Sequence, residues 1–288
     1  MSSSSYGPSV LVTGGRGAVA RAVAARLAER AIPFRLGSRE PGPPGASGAS
    51  GAPGAVHLDL TDPATFPAAL EGIRTVFLYA EAAAIDAFVK EATAAGVEHV
   101  VLLSSSSVLG ADATENALAA SHLAVEQALL ASPLRTTLLR PGAFASNALG
   151  WAWAMKSGTP IRLPYPGAYA DPVHEADIAD AAVAVLSDPA LAGGAYTLTG
   201  PQSLTFAAQL AVLSGVLGRS VPFETITPEQ WKADVEGFVP GSYADALLAH
   251  WAAQDGIAMS VTDEVERLTG HPARTFETWA EDHAEAFS

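Results

Sequence analysis

Apolar runs of strand length alternate with runs of helix length through the first half of this chain, and that alternation leaves few folds open. Val10 to Val12, Phe34 to Gly37, Val56 to Leu58, Val76 to Tyr79, His99 to Ser104 and Thr136 to Arg140 read as buried strands. Between them, Val19 to Glu29, Phe66 to Leu70, Ile85 to Ala95 and Leu118 to Leu130 read as helices. Strands joined through helices pair in parallel, and the helices cover both faces of the sheet. The expected class is therefore α/β, a Rossmann-like doubly wound parallel sheet. Ligands of such sheets sit at the carboxyl ends of the strands.

The first strand runs straight into a glycine-rich turn and a helix, Val10-Leu11-Val12-Thr13-Gly14-Gly15-Arg16-Gly17-Ala18-Val19-Ala20. Gly14 and Gly17 can take backbone angles closed to other residues, and they let a pyrophosphate approach the main chain and the positive end of the helix. Ala20, the third small position, keeps helix and strand close. The spacing G-x-x-G-x-x-A is looser than the standard fingerprint, but a strand before it and a helix after it point to a dinucleotide. The alternative is a tight turn with no ligand. Thr13, Gly14, Gly15, Arg16, Gly17, Ala18 and Val19 are the contacts expected there.

The second strand ends Phe34-Arg35-Leu36-Gly37-Ser38-Arg39. An acidic residue at this point binds the ribose hydroxyls of NAD, whereas a basic one accommodates the extra phosphate of NADP. Arg39 can fork two hydrogen bonds to a phosphate and Ser38 can add one. NADPH is therefore the expected cofactor, with a solvated surface arginine as the alternative. Asp59 and Leu60 are expected beside the adenine, with Asp59 capping the structure that follows it as the alternative. Tyr79 and Ala80, closing the fourth strand, line the cofactor cleft or pack there.

Length and composition narrow the class further. At 288 residues, 49% of them hydrophobic, the chain suits a large α/β domain with a smaller lobe. The expected division is 1–150 for the dinucleotide-binding domain and 151–288 for a mainly substrate-binding lobe, with some segments returning to the core. After Trp151 the pattern changes to short apolar stretches, Ile161 to Leu163, Val173 to His174, Tyr196 to Leu198 and Val221 to Ile226, with helices near Ala176 to Leu186 and Phe206 to Leu217. Trp151, Trp153 and Met155 alternate in a way that suits an apolar substrate wall. The aromatics Trp231, Phe238, Tyr243, Trp251 and Trp279 either cap a cleft or fill a core. A Pro/Gly/Ser-rich stretch from Glu40 to Ala55 reads as a mobile surface loop, placed to fold over a cofactor or to remain an inert insertion.

The chain has no cysteine, which excludes disulfides, a thiol nucleophile and thiolate metal sites. A net charge of -14 argues against nucleic acid as a partner. No apolar run approaches the length of about eighteen residues that crosses a bilayer. The N-terminal residues lack the basic and apolar regions of a signal peptide, so a cytoplasmic protein is expected. Oligomeric state is not legible.

Taken in order, several motifs resemble the atypical short-chain dehydrogenase/reductases, specifically the NmrA-like group of quinone reductases and redox-sensing proteins. They are Thr13-Gly14-Gly15-Arg16-Gly17, Ser38-Arg39, Leu103-Ser104-Ser105, His122-x-x-x-Glu126, Leu138-Leu139-Arg140-Pro141-Gly142-Ala143-Phe144 with Asn147, and Val173-His174-x-x-Asp177-Ile178-Ala179. The resemblance covers most of the chain. It implies the fold, NADP binding, and a nicotinamide held near Ser104, His122, Pro141, Gly142, Ala143 and Phe144.

The resemblance also marks a departure. Classical members use Ser, Tyr and Lys, with Tyr and Lys four apart on one helix. Aligning His122 with the lysine puts Leu118 where the tyrosine would stand, and leucine neither donates nor accepts a proton. The remaining catalytic candidates are Ser105, which can hydrogen-bond a substrate carbonyl or satisfy its own loop, and His122. The histidine is a donor to the nicotinamide ribose, a proton source, or a helix residue paired with Glu126 one turn later. The expected function is an NADPH-dependent reductase acting on a ketone or quinone of a bulky, apolar, aromatic polyketide-like substrate. Resembling proteins without Tyr and Lys include ketoreductases of aromatic polyketide pathways. The rival expectation is a non-catalytic NADP-binding redox sensor.

Overall fold

The computed structural model describes residues 10–40 and 55–288; the proline- and glycine-rich stretch expected to form a loop lies largely outside them. Two compact units emerge. One comprises Met1–Val108, Ala119–Arg140 and Ile178–Tyr196, the other Leu109–Leu118, Pro141–Asp177 and Thr197–Ser288.

The elements of the first half follow the alternation in the sequence: β1 (Val10–Val12), α1 (Ala18–Glu29), β2 (Phe34–Ser38), β3 (Val56–His57), α2 (Phe66–Leu70), β4 (Thr75–Tyr79), α3 (Ile85–Ala94), β5 (His99–Leu103), α4 (Ala120–Leu130) and β6 (Arg135–Pro141). Next come α5 (Ala152–Ser157), β7 (Ile161–Leu163), β8 (Tyr169–Ala170), α6 (Glu175–Ser187) and β9 (Ala195–Leu198). The sheet of the first unit has seven strands in the order β3-β2-β1-β4-β5-β6-β9, and the pairs from β3 through β6 are all parallel. The order reverses at β1, so the chain winds outward from it in both directions.

Burial explains why these segments are strands. Leu11, Val12, Val76, Val100, Val101 and Leu102 are all fully buried, as expected for strands covered on both faces, which read as continuous apolar runs. One core gathers Leu11, Leu78 and Leu102 with Phe66, Phe88 and Leu129 from α2, α3 and α4. Helix α1 buries Val19, Ala20, Val23, Ala24 and Leu27, a stripe at three- and four-residue spacing. Its Arg26 forms an ion pair with Asp180 of α6. Thr13, 1% exposed, accepts the Tyr79 backbone N–H on its Oγ1 at 3.0 Å. That bond locks the end of β1 to the end of β4.

The second unit has its own core of Met155, Ile161, Leu163, Leu210, Leu213, Phe276, Trp279 and Phe287. It adds β10 (Leu204–Thr205), paired antiparallel with β8, α7 (Phe206–Leu217), and β11 (Phe223–Thr225), paired parallel with β7. Helices α8 (Pro228–Asp234), α9 (Gly241–Ala253), α10 (Glu264–Thr269) and α11 (Phe276–Asp282) follow. The expected strand at Val173 and His174 is only a bridge between Val173 and Phe144, because α6 begins at Glu175. Helix α4 starts two residues later than its apolar pattern suggests; Leu118 sits before it, its N–H donating to Asn116 Oδ1 at 2.9 Å.

The alternation of Trp151, Trp153 and Met155 does not form a wall. These residues lie on helical turns, where a spacing of two points side chains in different directions. Met155 is buried, Trp153 is 75% exposed, and Trp151 packs edge-on to Phe206. The later aromatics divide similarly. Trp279 is fully buried, Trp231 and Trp251 meet edge to face, and Phe238 is 89% exposed.

Candidate dinucleotide-binding site

The carboxyl edge of the first unit's sheet is shaped by the glycine turn. Gly14 has φ of 69°, a conformation that costs most residues energy and glycine little. A Cβ there would stand 2.9 Å from the Tyr79 ring. The Gly17 N–H donates to Gly14 O at 2.8 Å and the Gly15 N–H to Gly37 O at 3.0 Å, which closes the turn and fastens it to β2. Gly17 then caps α1 with no side-chain hydrogen bond, and the first turn of α1 carries no acidic residue. The helix therefore presents its positive end without a built-in anion of its own.

Thr13, Gly14, Arg16, Gly17, Gly37, Ser38, Arg39, Leu58, Leu60 and Tyr79 line one cleft. Eight of these are cofactor residues expected from the sequence; Gly15, Ala18, Val19, Asp59 and Ala80 neighbour it in the chain. Gly37 and Leu58 were not expected. A Cβ on Gly37 would meet Leu58 Cδ2 at 2.6 Å, so the glycine is the space that lets β2 and the chain after β3 close under the site. Its place one residue before Ser38 was the available signal.

Charge in the cleft is uneven. Arg39 is exposed and makes no hydrogen bond or ion pair among the described residues. Arg16 pairs with Glu40 at 2.5 Å. The Ser38 hydroxyl is 3.3 Å from both the N–H and the carbonyl of Glu40, so it turns the chain at that point. Asp59 Oδ1 accepts from the Thr61 N–H at 2.9 Å and hydroxyl at 2.8 Å, and these bonds hold its carboxyl below the usual range. The helical turn after it is capped by Asp62 instead, which accepts from the Ala64 N–H. Burial, followed by the nearby Glu81 charge, pushes the Tyr79 phenol up.

A second cluster follows β5 in the same unit. Glu126, 2% exposed, accepts from the Ser104 hydroxyl at 2.6 Å and from Arg140 Nε and Nη2 at 2.9 and 2.6 Å. The carboxylate thereby ties the ends of β5 and β6 to α4. This corrects the expected pairing of Glu126 with His122: spacing of four residues puts the two on one helix face, but the acid's oxygens are taken by the buried hydroxyl and guanidinium. His122 Nδ1 is buried with no hydrogen-bond partner among the described residues. Burial lowers the imidazole's pKa, with the Glu126 charge opposing, which favours the neutral ring. Ser105 Oγ accepts from the Ser107 N–H at 3.2 Å and hydroxyl at 2.9 Å, the loop-satisfying arrangement.

In the second unit, the segment from Pro141 to Phe144, which leaves β6 through a bend at Ala143, is held by hydrogen bonds. The Gly142 N–H donates to Leu198 O, Val173 N–H to Ala143 O, and Ala143 N–H to Asp171 Oδ1 at 2.9 Å. A Cβ on Gly142 would lie 2.2 Å from Asp171 Oδ2, so only glycine fits over this carboxylate. Asp171 is 2% exposed, and burial raises its pKa to about 6. Nothing in the sequence pattern singled it out, because its role depends on a partner 28 residues away.

A parallel sheet reversing at β1, a glycine turn at its carboxyl edge and an uncapped helix end beside two arginines define a dinucleotide-binding protein of the Rossmann class. Residues 14–189 match the family model described as NAD(P)H-binding, and the chain belongs to that family; the NmrA-like resemblance agrees with it. The chain is 36% identical over 283 residues to the (4-alkanoyl-5-oxo-2,5-dihydrofuran-3-yl)methyl phosphate reductase of Streptomyces griseus, covering 97% of this chain and 99% of the relative. It is 34% identical over 286 residues to the NAD(P)H azoreductase of Xenophilus azovorans, covering 96% and 99%. The fold matches that of an NADPH-dependent quinone oxidoreductase of Escherichia coli solved with NADPH, with a TM-score of 0.80 at 24% identity over 95% of this chain and 99% of that one.

Proposed function

We propose that this NAD(P)H-dependent oxidoreductase uses NADPH to reduce a bulky, apolar ketone or quinone whose carbonyl is conjugated. The observation that carries the cofactor half is the cleft itself, where a glycine turn and the end of α1, without a side-chain cap, stand with Arg39. Gly14, Gly15 and Gly17 leave room for a pyrophosphate against main-chain amides, and Arg39 with Ser38 suits the additional phosphate of NADPH. NADPH supplies the hydride when bound.

The substrate half follows from what stands near α4. Leu118 carries no acid or base, and His122 is a half-buried imidazole whose neutral form burial favours. Such a site suits an acceptor that spreads incoming charge over its own conjugated atoms and so needs only a weak proton donor. The names of the relatives fit that chemistry, because an azo group, a quinone and an alkanoyl-furanone are all conjugated acceptors. His122 is the donor this reading assigns. A cytoplasmic location fits the reading. Among the described residues no helix is long and apolar enough to cross a membrane.

Steady-state NADPH oxidation with paired acceptors tests the proposal. Quinones and aryl-conjugated ketones should be reduced, and isolated aliphatic ketones should not. Equal rates on both groups would contradict the weak-donor reading, and no turnover with tightly bound NADPH would favour a redox sensor.

A further inference from the structure

We infer that Glu40 sets the cofactor preference of this chain by competing with the NADPH phosphate for Arg16. The inference rests on the cofactor reading above and concerns how its phosphate end is tuned. Two cations line the cleft, Arg16 from the glycine turn and Arg39 from the end of β2. They are not equivalent. Arg39 is unpaired among the described residues, while Arg16 Nη1 lies 2.5 Å from Glu40 Oε2.

Glu40 is held at this point by its backbone. The Ser38 hydroxyl turns the chain through the Glu40 N–H and carbonyl, and the acid meets a residue 24 positions earlier in sequence. The carboxylate thus occupies the cation that a phosphate entering beside Arg39 would also take. A dianionic phosphate must displace Glu40 from Arg16 and then sit near its charge. A cofactor lacking that phosphate meets neither obstacle. Glu40 therefore lowers the discrimination that two free arginines would give, and it leaves Arg16 neutralised when no phosphate is present. Both side chains are well exposed, 69% and 75%, so the competition is screened by salt.

The test uses the whole protein and isothermal titration with 2′,5′-ADP against 5′-AMP, two probes that differ only in the phosphate concerned. Glu40→Gln should tighten 2′,5′-ADP binding by roughly three- to tenfold at low salt, leave 5′-AMP unchanged, and lose most of the gain at high salt. In an Arg16→Ala background the same substitution should give a clearly smaller gain for 2′,5′-ADP and none for 5′-AMP, since only the direct repulsion by Glu40 is left to remove. Unchanged or weaker 2′,5′-ADP binding by Glu40→Gln would overturn the inference, as would an equal gain for 5′-AMP or a gain undiminished without Arg16. If neither probe binds the parent protein, the cofactor reading itself fails, an outcome distinct from these. Both residues are at the surface, so the variants should unfold at the parent's temperature.

Discussion

Arg39 and His122 place the two halves of the proposed chemistry on single side chains, and each can be removed alone. Charge-assisted hydrogen bonds to a phosphate contribute about 1.5–3 kcal/mol. Arg39→Ala should therefore weaken NADPH binding by roughly ten- to a hundredfold and NADH binding much less; equal losses in a fluorescence titration would refute its phosphate role. His122→Ala should lower kcat/KM with a quinone by at least about tenfold while NADPH still binds, since a positioned proton donor contributes on that scale or more. Unchanged turnover would leave His122 a packing residue of α4. The glycine turn could be read from sequence because its main demand is local: Gly14 must take a positive φ between β1 and α1. The pairing of His122 with Glu126 was misread for the opposite reason. Helical spacing shows which residues are neighbours, but Ser104 and Arg140, distant in sequence, decided where the acid's oxygens point.

At the scale of elements, buried carboxylates fasten chain segments that the alternation of strands and helices cannot relate. Glu126 joins β5, α4 and β6 within the first unit. Glu126→Ala leaves Arg140, only 19% exposed at its side chain, without its partner, and should cost about 3 kcal/mol of stability; a chemical-denaturation midpoint equal to the parent's would contradict the network. Asp171 holds the turn at Ala143 in the second unit, and its pH behaviour has a definite sign. Its folded pKa, about 6, lies above the ordinary value of 3.8, so the folded state binds this proton more tightly. The stability it contributes is present below about pH 4 and is lost as pH rises through 6, a difference of about 3 kcal/mol. Asp171→Asn, neutral throughout, should gain stability relative to the parent between pH 4 and 7.5. A pH-independent difference in melting temperature would sink that assignment. Strands β1 and β7 and helices α2 and α7 matched their sequence patterns end to end, because a continuous or alternating apolar run or a helical stripe marks them. The two-residue strands β8 and β10 and the helices from α8 onward carried no such mark.

For the whole molecule, the alternation, the order of motifs and the family match agree on an NAD(P)H-binding oxidoreductase. The lower legibility of the second unit has a physical basis. Its sheets have two strands each, its helices α8, α10 and α11 run six or seven residues, and its core joins Met155 to Trp279 and Phe287 across more than a hundred residues of chain. Period and local propensity say little about such packing. The central claim is that the cleft binds NADPH for reduction rather than for sensing. Rapid mixing of the NADPH-loaded protein with a quinone, followed through the reduced-nicotinamide absorbance, tests it most directly. A reductase should show a single-turnover decay that oxidises one NADPH for each quinone reduced, and that is slowed when the transferred hydrogen is deuterium. NADPH that stays bound and unoxidised across conjugated quinones and ketones would contradict it.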